Sequence, residues 1–194
     1  MTEQFNQTPS QTVGPYFAYG LTSEQYQYSH TQIADGNLVK DEKIKGERID
    51  IKGRVIDGDG NIIPDAMIEI WQADADGKYP GPEVKDRFTG FGRQGTGTAA
   101  DGSFLFNTIK PGRVGNAAPH INVIVFMRGL QTHAYTRVYF SDELAANQQD
   151  AVLNSVDAKR RITLIAQRTE SGGGIEYRYD IYMQGEWETI FFDV

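Results

Sequence analysis

Ile109-Lys110-Pro111-Gly112-Arg113-Val114-Gly115-Asn116-Ala117-Ala118-Pro119-His120-Ile121-Asn122 ends one apolar run, turns through Lys-Pro-Gly and enters another. The second run, Pro119 to Met127, is rich in Ile, Val and Phe and reads as a strand. Residues two apart on a strand share a face, with Cα atoms roughly 6–7 Å apart. A His-x-His here would aim two imidazoles at one metal ion. The chain has His120 followed by Asn122, and a neutral amide is a poor ligand for a transition metal. By itself, His120 reads as a hydrogen-bonded residue of an apolar strand.

Strand signals continue on both sides. Upstream, Arg48–Ile56 alternates and ends in the tight-turn run Asp57-Gly58-Asp59-Gly60-Asn61, followed by Ala66–Ala73 and Ser103–Ile109. Phe104 and Phe106 share one face of the last. Downstream, Ala134–Phe140, Ile162–Arg168, Ile175–Met183 and Trp187–Phe192 bring the total to about eight strands. Ser141–Asp150, opened by a serine cap and acidic residues, reads as the one short helix. Residues 1–47 show no period, yet Tyr16, Phe17, Tyr19, Tyr26 and Tyr28 make them too aromatic for a disordered tail. The fold class expected is all-β: an antiparallel β-sandwich (transthyretin-like) over residues 48–194, with an irregular N-terminal arm over 1–47 that packs on a partner chain. That arm interface should exceed the roughly 1,600 Å² of a standard complex.

Composition sets the boundaries. At 194 residues the chain can bury one sizeable core. A net charge of −7 argues against a general nucleic-acid or anionic-membrane partner. No run spans a bilayer and Met1–Ser10 lacks a signal-peptide core, so a cytoplasmic location is expected. Without cysteine there are no disulfides, thiolate metal sites or cysteine nucleophiles. An all-histidine metal site would need His30, His120 and His133 together.

Some motifs mislead. Gly90-Phe91-Gly92-Arg93-Gln94-Gly95 spells the dinucleotide fingerprint, but Thr96–Gly102 follows as loop chemistry instead of a helix. Asp57-x-Asp59-x-Asn61 begins like a calcium loop but has Ile62 and Ile68 where Gly and Glu are required. No G-x-S-x-G elbow is present.

Three segments taken in order carry more: Pro64-Asp65-Ala66-Met67-Ile68-Glu69-Ile70-Trp71-Gln72-Ala73-Asp74-Ala75-Asp76-Gly77-Lys78-Tyr79, Asp101–Gly112, and Pro119-His120-Ile121-Asn122. Together they resemble the core motifs of the intradiol ring-cleaving dioxygenases. Thr8–Tyr16 and Gln184–Thr189 extend the likeness to members of that family built from two homologous chains. In the iron-bearing type the resemblance implies a non-haem Fe(III) held by two tyrosinates and two histidines. Anionic phenolates stabilise the ferric state, and a tyrosine ionises only with a strong cation beside it. Matched position by position, the first tyrosine falls at Tyr79 and the first histidine at His120. The second tyrosine falls at Val114 and the second histidine at Asn122. Two of four ligands are therefore missing, and no Asp or Glu lies between Asp101 and Asp142 to replace them.

The chain thus resembles the non-iron-binding chain of such a pair, with no metal of its own. The resemblance implies that Fe(III) is bound by a homologous iron-bearing beta chain within a higher αβ oligomer. The substrates implied are 3,4-dihydroxybenzoate and O₂, and the product 3-carboxy-cis,cis-muconate. Thr12, Gly14, Pro15 and Tyr16 of the arm match positions lining the cleft between the chains. Arg128 matches an arginine reaching that cleft, with Arg137 as the neighbour that could reach in instead. Tyr79 and His120 are expected as uncharged remnants packed near each other. Two other readings stand beside this one: a transthyretin-like binding or assembly module without catalytic involvement, and a self-sufficient iron enzyme with replacement ligands.

Overall fold

The computed structural model describes residues 11–14, 16–81, 88–171 and 173–193. Among them nine strands form one mixed sheet: β1 (Arg48–Ile56), β2 (Met67–Gln72), β3 (Phe91–Gly95), β4 (Ser103–Ile109), β5 (His120–Phe126), β6 (Ala134–Phe140), β7 (Ile165–Ser171), β8 (Gly174–Arg178) and β9 (Ile181–Tyr182). The spatial order is β3-β2-β5-β6-β7-β8-β1-β4, with β9 beside β1. The sheet curls so that β3 and β4, its two ends, approach each other. Inside lies one core containing Ile68 and Ile70 of β2, Val123 and Val125 of β5, Ile51 of β1 and Phe104 and Phe106 of β4.

The expected mostly-β chain is present, but antiparallel-only pairing is not. β1 pairs parallel with β8 and β9, and β6 pairs parallel with β7. One hydrogen-bonded path joins the strands. Two further expectations shift locally. Ile175–Met183 breaks at Tyr179-Asp180 into β8 and β9, and Trp187–Phe192 is a loop that touches the sheet through a Tyr135–Phe192 bridge. The single helix expected over Ser141–Asp150 is two shorter ones, α2 (Leu144–Asn147) and α3 (Ala151–Ser155). Gln148 caps the end of the first, and Asp150 caps the start of the second, accepting from the Leu153 N–H.

The described part of the arm is partly helical, with α1 at Phe17–Leu21, and it docks on this chain's own sheet. The Asp35 carbonyl accepts from the Arg93 N–H of β3, at 3.0 Å. One residue on, the Gly36 carbonyl accepts from the Asn107 N–H of β4 at 2.8 Å, and the Leu38 N–H returns a bond to the Asn107 carbonyl. Residues 35–38 therefore lie in the seam and satisfy backbone groups on both sheet ends, which would otherwise be open edges. Leu38 enters the main core. Gln25 bonds both the N–H and the carbonyl of Gly95, each at 2.8 Å.

This docking also explains why β3 was not visible as a strand. A Cβ on Gly92 would stand 2.6 Å from Leu38 Cδ1, and one on Gly95 would stand 2.7 Å from the Tyr26 hydroxyl. The glycines that disguise the strand are the ones that let the arm lie on it. Among the described residues, no helix is long and apolar enough to cross a membrane.

Candidate functional site

The alternation of β2, β5 and β6 sends Ile68, Ile70, Ile121, Val123, Thr136 and Val138 inward. The opposite face of the same strands therefore carries Glu69 and Trp71, His120 and Asn122, and Tyr135, Arg137 and Tyr139. Register sets the neighbours: Asn122 pairs with Trp71 on one side and Arg137 on the other, and His120 pairs with Tyr139. Both predicted histidine positions thus share one face.

Tyr79 reaches that face from the loop after β2. Its ring stacks on Trp71, with centroids 5.5 Å apart and planes at 14°. Its hydroxyl accepts from Asn122 Nδ2 at 3.0 Å. Tyr79 and His120 therefore lie on the same side of the sheet. The loop carrying Val114 lies against the loop carrying Tyr79: the Gly112 N–H donates to the Asp74 carbonyl at 2.8 Å. The two loops cross so closely at Gly77 (φ +77°) that a Cβ there would lie 1.9 Å from the Arg113 carbonyl oxygen. Val114 presents no donor atom.

Asn122 is fully engaged. Its amide nitrogen donates to the Trp71 carbonyl and to Tyr79, and its Oδ1 accepts from the Tyr135 hydroxyl at 2.6 Å. Tyr135 in turn accepts from Arg137 Nε at 3.1 Å. His120 is buried, and its Nδ1 lies 2.7 Å from the Ala118 carbonyl. A carbonyl only accepts, so Nδ1 carries the proton and Nε2 keeps its lone pair. Burial, joined by the nearby Arg137 charge, pushes the His120 pKa down, against the bond to Ala118 and the Asp150 carboxylate, which favour the charged ring.

Asp150 anchors the far end. Its carboxylate accepts from the Tyr139 hydroxyl at 3.0 Å and from the N–H groups of Ala118 and Leu153, at 2.8 Å each. Burial raises its pKa, but these hydrogen bonds outweigh that and hold it below the usual carboxylate value. Burial likewise pushes the Tyr139 hydroxyl well above the usual phenol range.

The donor set does not fit a ferric centre. Tyr79 and His120 remain, Val114 offers nothing, and Asn122 is an amide with its hydrogen bonds already committed. Among the described residues, no group of three or more His, Asp or Glu side chains is placed to hold a metal ion.

The residues predicted to line a cleft gather elsewhere, at the β5–β6 corner. Thr12 Oγ1 accepts from the Gly129 N–H at 2.9 Å, so the arm and the Arg128-Gly129 turn touch although the sequence separates them widely. Phe17 of α1 packs on Phe126 of β5, and the Phe17 N–H donates to the Gly14 carbonyl. Tyr16 is 79 % exposed. Pro15 lies outside the described residues. Arg128 is largely exposed and forms an ion pair with Asp65. Sequence reasoning found Tyr79, His120 and Asn122. It missed Trp71, Tyr135 and Tyr139, whose signal is the strand register and not any motif, and Asp150, which joins through its bond to the Ala118 N–H.

The chain is similar to known proteins over nearly its full length. The family described as Dioxygenase matches residues 14–185. The protocatechuate 3,4-dioxygenase alpha chain of Burkholderia cepacia is 52 % identical over 193 residues, covering 97 % of this chain and 98 % of that one. The beta chain of the same enzyme from that organism is 32 % identical, covering 77 % of this chain and 69 % of that one. Among solved structures, the dioxygenase domain of a dioxygenase–carbohydrate-binding fusion from Streptomyces sp. SirexAA-E superposes with a TM-score of 0.63 at 27 % identity, covering 91 % and 97 % of the two chains.

Proposed function

Because this chain belongs to the intradiol dioxygenase family, we propose that it is the non-iron-binding alpha subunit of a protocatechuate 3,4-dioxygenase. The observation that carries the reading is the pair Val114 and Asn122. They remove two of four ligand positions from an otherwise kept framework, in a chain half identical to an alpha chain along its whole length. Catalysis then depends on a homologous beta chain. Bound there, Fe(III) supplies the activation of the catecholate toward O₂, and the ring of 3,4-dihydroxybenzoate opens between its hydroxylated carbons to give 3-carboxy-cis,cis-muconate. The pair would work in the cytoplasm as a higher αβ oligomer.

This chain's own part is to shape and charge the cleft. Thr12, Gly14, Pro15 and Tyr16 come from the arm, which the seam contacts of residues 35–38 hold to the sheet. Thr12 bonded to Gly129 supports placing the arm and Arg128 in one cleft wall. Arg128 offers a permanent positive charge and a planar fork to the substrate carboxylate. Tyr16, exposed here, offers a large amphipathic surface for the beta chain to cover. The transthyretin-like assembly-module reading differs in one measurable respect, since it leaves catalysis indifferent to these residues. Co-expression with the beta chain tests the proposal: ring cleavage should require both chains, and substitutions at Thr12 and Arg128 should lower it in fully assembled complex. Unchanged kinetics in both variants would reduce this chain to an assembly module.

A further inference from the structure

The face that lacks two of the metal-ligand positions carries a fixed cation. Arg137 sits on β6 directly across from Asn122 of β5, and its guanidinium points along the same face as His120 and Asn122. Directly opposed residues on an antiparallel pair have Cβ atoms only about 4.5–5.5 Å apart. The guanidinium donates to Tyr135, Tyr135 donates to Asn122, and Asn122 donates to Tyr79. On its other side, Tyr139 donates to Asp150, which also accepts from the Ala118 N–H, and the Ala118 carbonyl holds His120. Arg137 therefore lies on β6 between two hydrogen-bonded groups, one ending at each surviving ligand position.

Loss of two ligands alone would leave a tyrosine, an amide and a lone-pair-bearing imidazole, a set able to pick up stray divalent or ferric ions. His120 is even held in the tautomer that ligates through Nε2, the arrangement a metal-binding histidine uses. An arginine holds a permanent positive charge there.

We propose that Arg137, held by the Tyr135–Asn122–Tyr79 hydrogen bonds, takes the place of the metal's charge on this face and excludes iron and divalent cations. The inference rests on the reading of the chain as a metal-free subunit and adds a cause to it: exclusion is active, through a charge, and is not merely the absence of donors.

The test restores the donors with and without the charge. Val114→Tyr/Asn122→His supplies both missing ligand types, and adding Arg137→Gln removes the cation while keeping a hydrogen-bonding side chain. Each variant is purified with its beta partner absent, checked by circular dichroism and thermal melting, and incubated with Fe(II) in air. Iron content and the visible tyrosinate-to-iron absorption are then read. With Arg137 in place, iron should stay at background and the solution colourless; with Arg137→Gln it should load and colour. Arg137→Lys in the same background should exclude most of the metal, whereas loss of that exclusion would mean that Arg137 acts by geometry and not by charge, against the proposal. The apparent affinity difference between the Arg and Gln forms should be about a hundredfold or more, given the strength of like-charge repulsion at contact distance.

Should Tyr at position 114 prevent folding, the smaller pair Asn122→His and Asn122→His/Arg137→Gln, titrated with Co(II) and followed by its visible bands, gives the same comparison. Stoichiometric metal in a variant that retains Arg137 overturns this inference and leaves the subunit assignment intact. Iron in the unmodified chain overturns the assignment itself.

Discussion

Arg128→Ala in the assembled αβ complex probes the cleft proposal most closely, and the structure sets its size. A charge-assisted contact between guanidinium and a substrate carboxylate is worth about 1.5–3 kcal/mol. Arg128 is not free, however: it is ion-paired with Asp65, and its side chain is 58 % exposed against 14 % for Asp65. An exposed pair of this kind contributes about 0–1 kcal/mol, which is given up when the guanidinium turns to substrate. The net loss on truncation is then about 0.5–3 kcal/mol, or roughly two- to 150-fold in kcat/KM for 3,4-dihydroxybenzoate. Its lower end is smaller than an unpaired arginine would give. Oxygen uptake with 3,4-dihydroxybenzoate and with catechol is the assay, because catechol has no carboxylate and should lose much less. Equal losses on the two substrates would refute carboxylate recognition and assign Arg128 to packing. No loss on either would make it a surface charge held by Asp65.

Other expectations follow from single contacts. Gly92→Ala forces a methyl against Leu38 at 2.6 Å and should loosen the arm from the seam; overpacking of about 2 kcal/mol would lower Tm by about 4–8 °C, read by differential scanning calorimetry. Asp150→Asn weakens the cap on α3 and the Tyr139 and Ala118 bonds together, and should cost about 2–3 kcal/mol in chemical denaturation. Because the folded pKa of Asp150 is depressed, its stabilisation is complete above the unfolded carboxylate value near 3.9 and is lost as pH falls through the lower folded value. The acid limb of a stability–pH profile should therefore flatten in the Asn variant. Deleting the residues before Tyr16 should impair assembly with the beta chain or ring cleavage, and full assembly with unchanged kinetics would count against the arm's role.

Much of this was legible in the residues, and the reasons for the remainder are specific. Alternation revealed β1, β2, β4, β5 and β6 because each has one face in a common core, and that pattern survives any topology. β3 was hidden because its glycines serve the arm and not the sheet. The parallel pairings of β1 with β8 and of β6 with β7 depend on how the curled sheet returns on itself, which no local spacing records. The same holds at the site. His120 and Asn122 share a strand, so spacing alone placed them on one face. Arg137, Tyr139 and Trp71 join them only through cross-strand register, and Asp150 only through the loop before β5. Motif reading could show that two ligand positions are missing, while the hydrogen bonds around them are set by register between strands far apart in sequence.

The central claim, that this chain is the metal-free half of a two-chain dioxygenase, is met most directly by measuring where the iron goes. The chain is expressed alone, the beta chain alone, and the two together, and iron per chain is quantified beside ring-cleavage activity. Iron should track the beta chain, the lone chain should be colourless and inactive, and full activity should appear only with both. A lone chain that is coloured, iron-loaded and active would contradict the account.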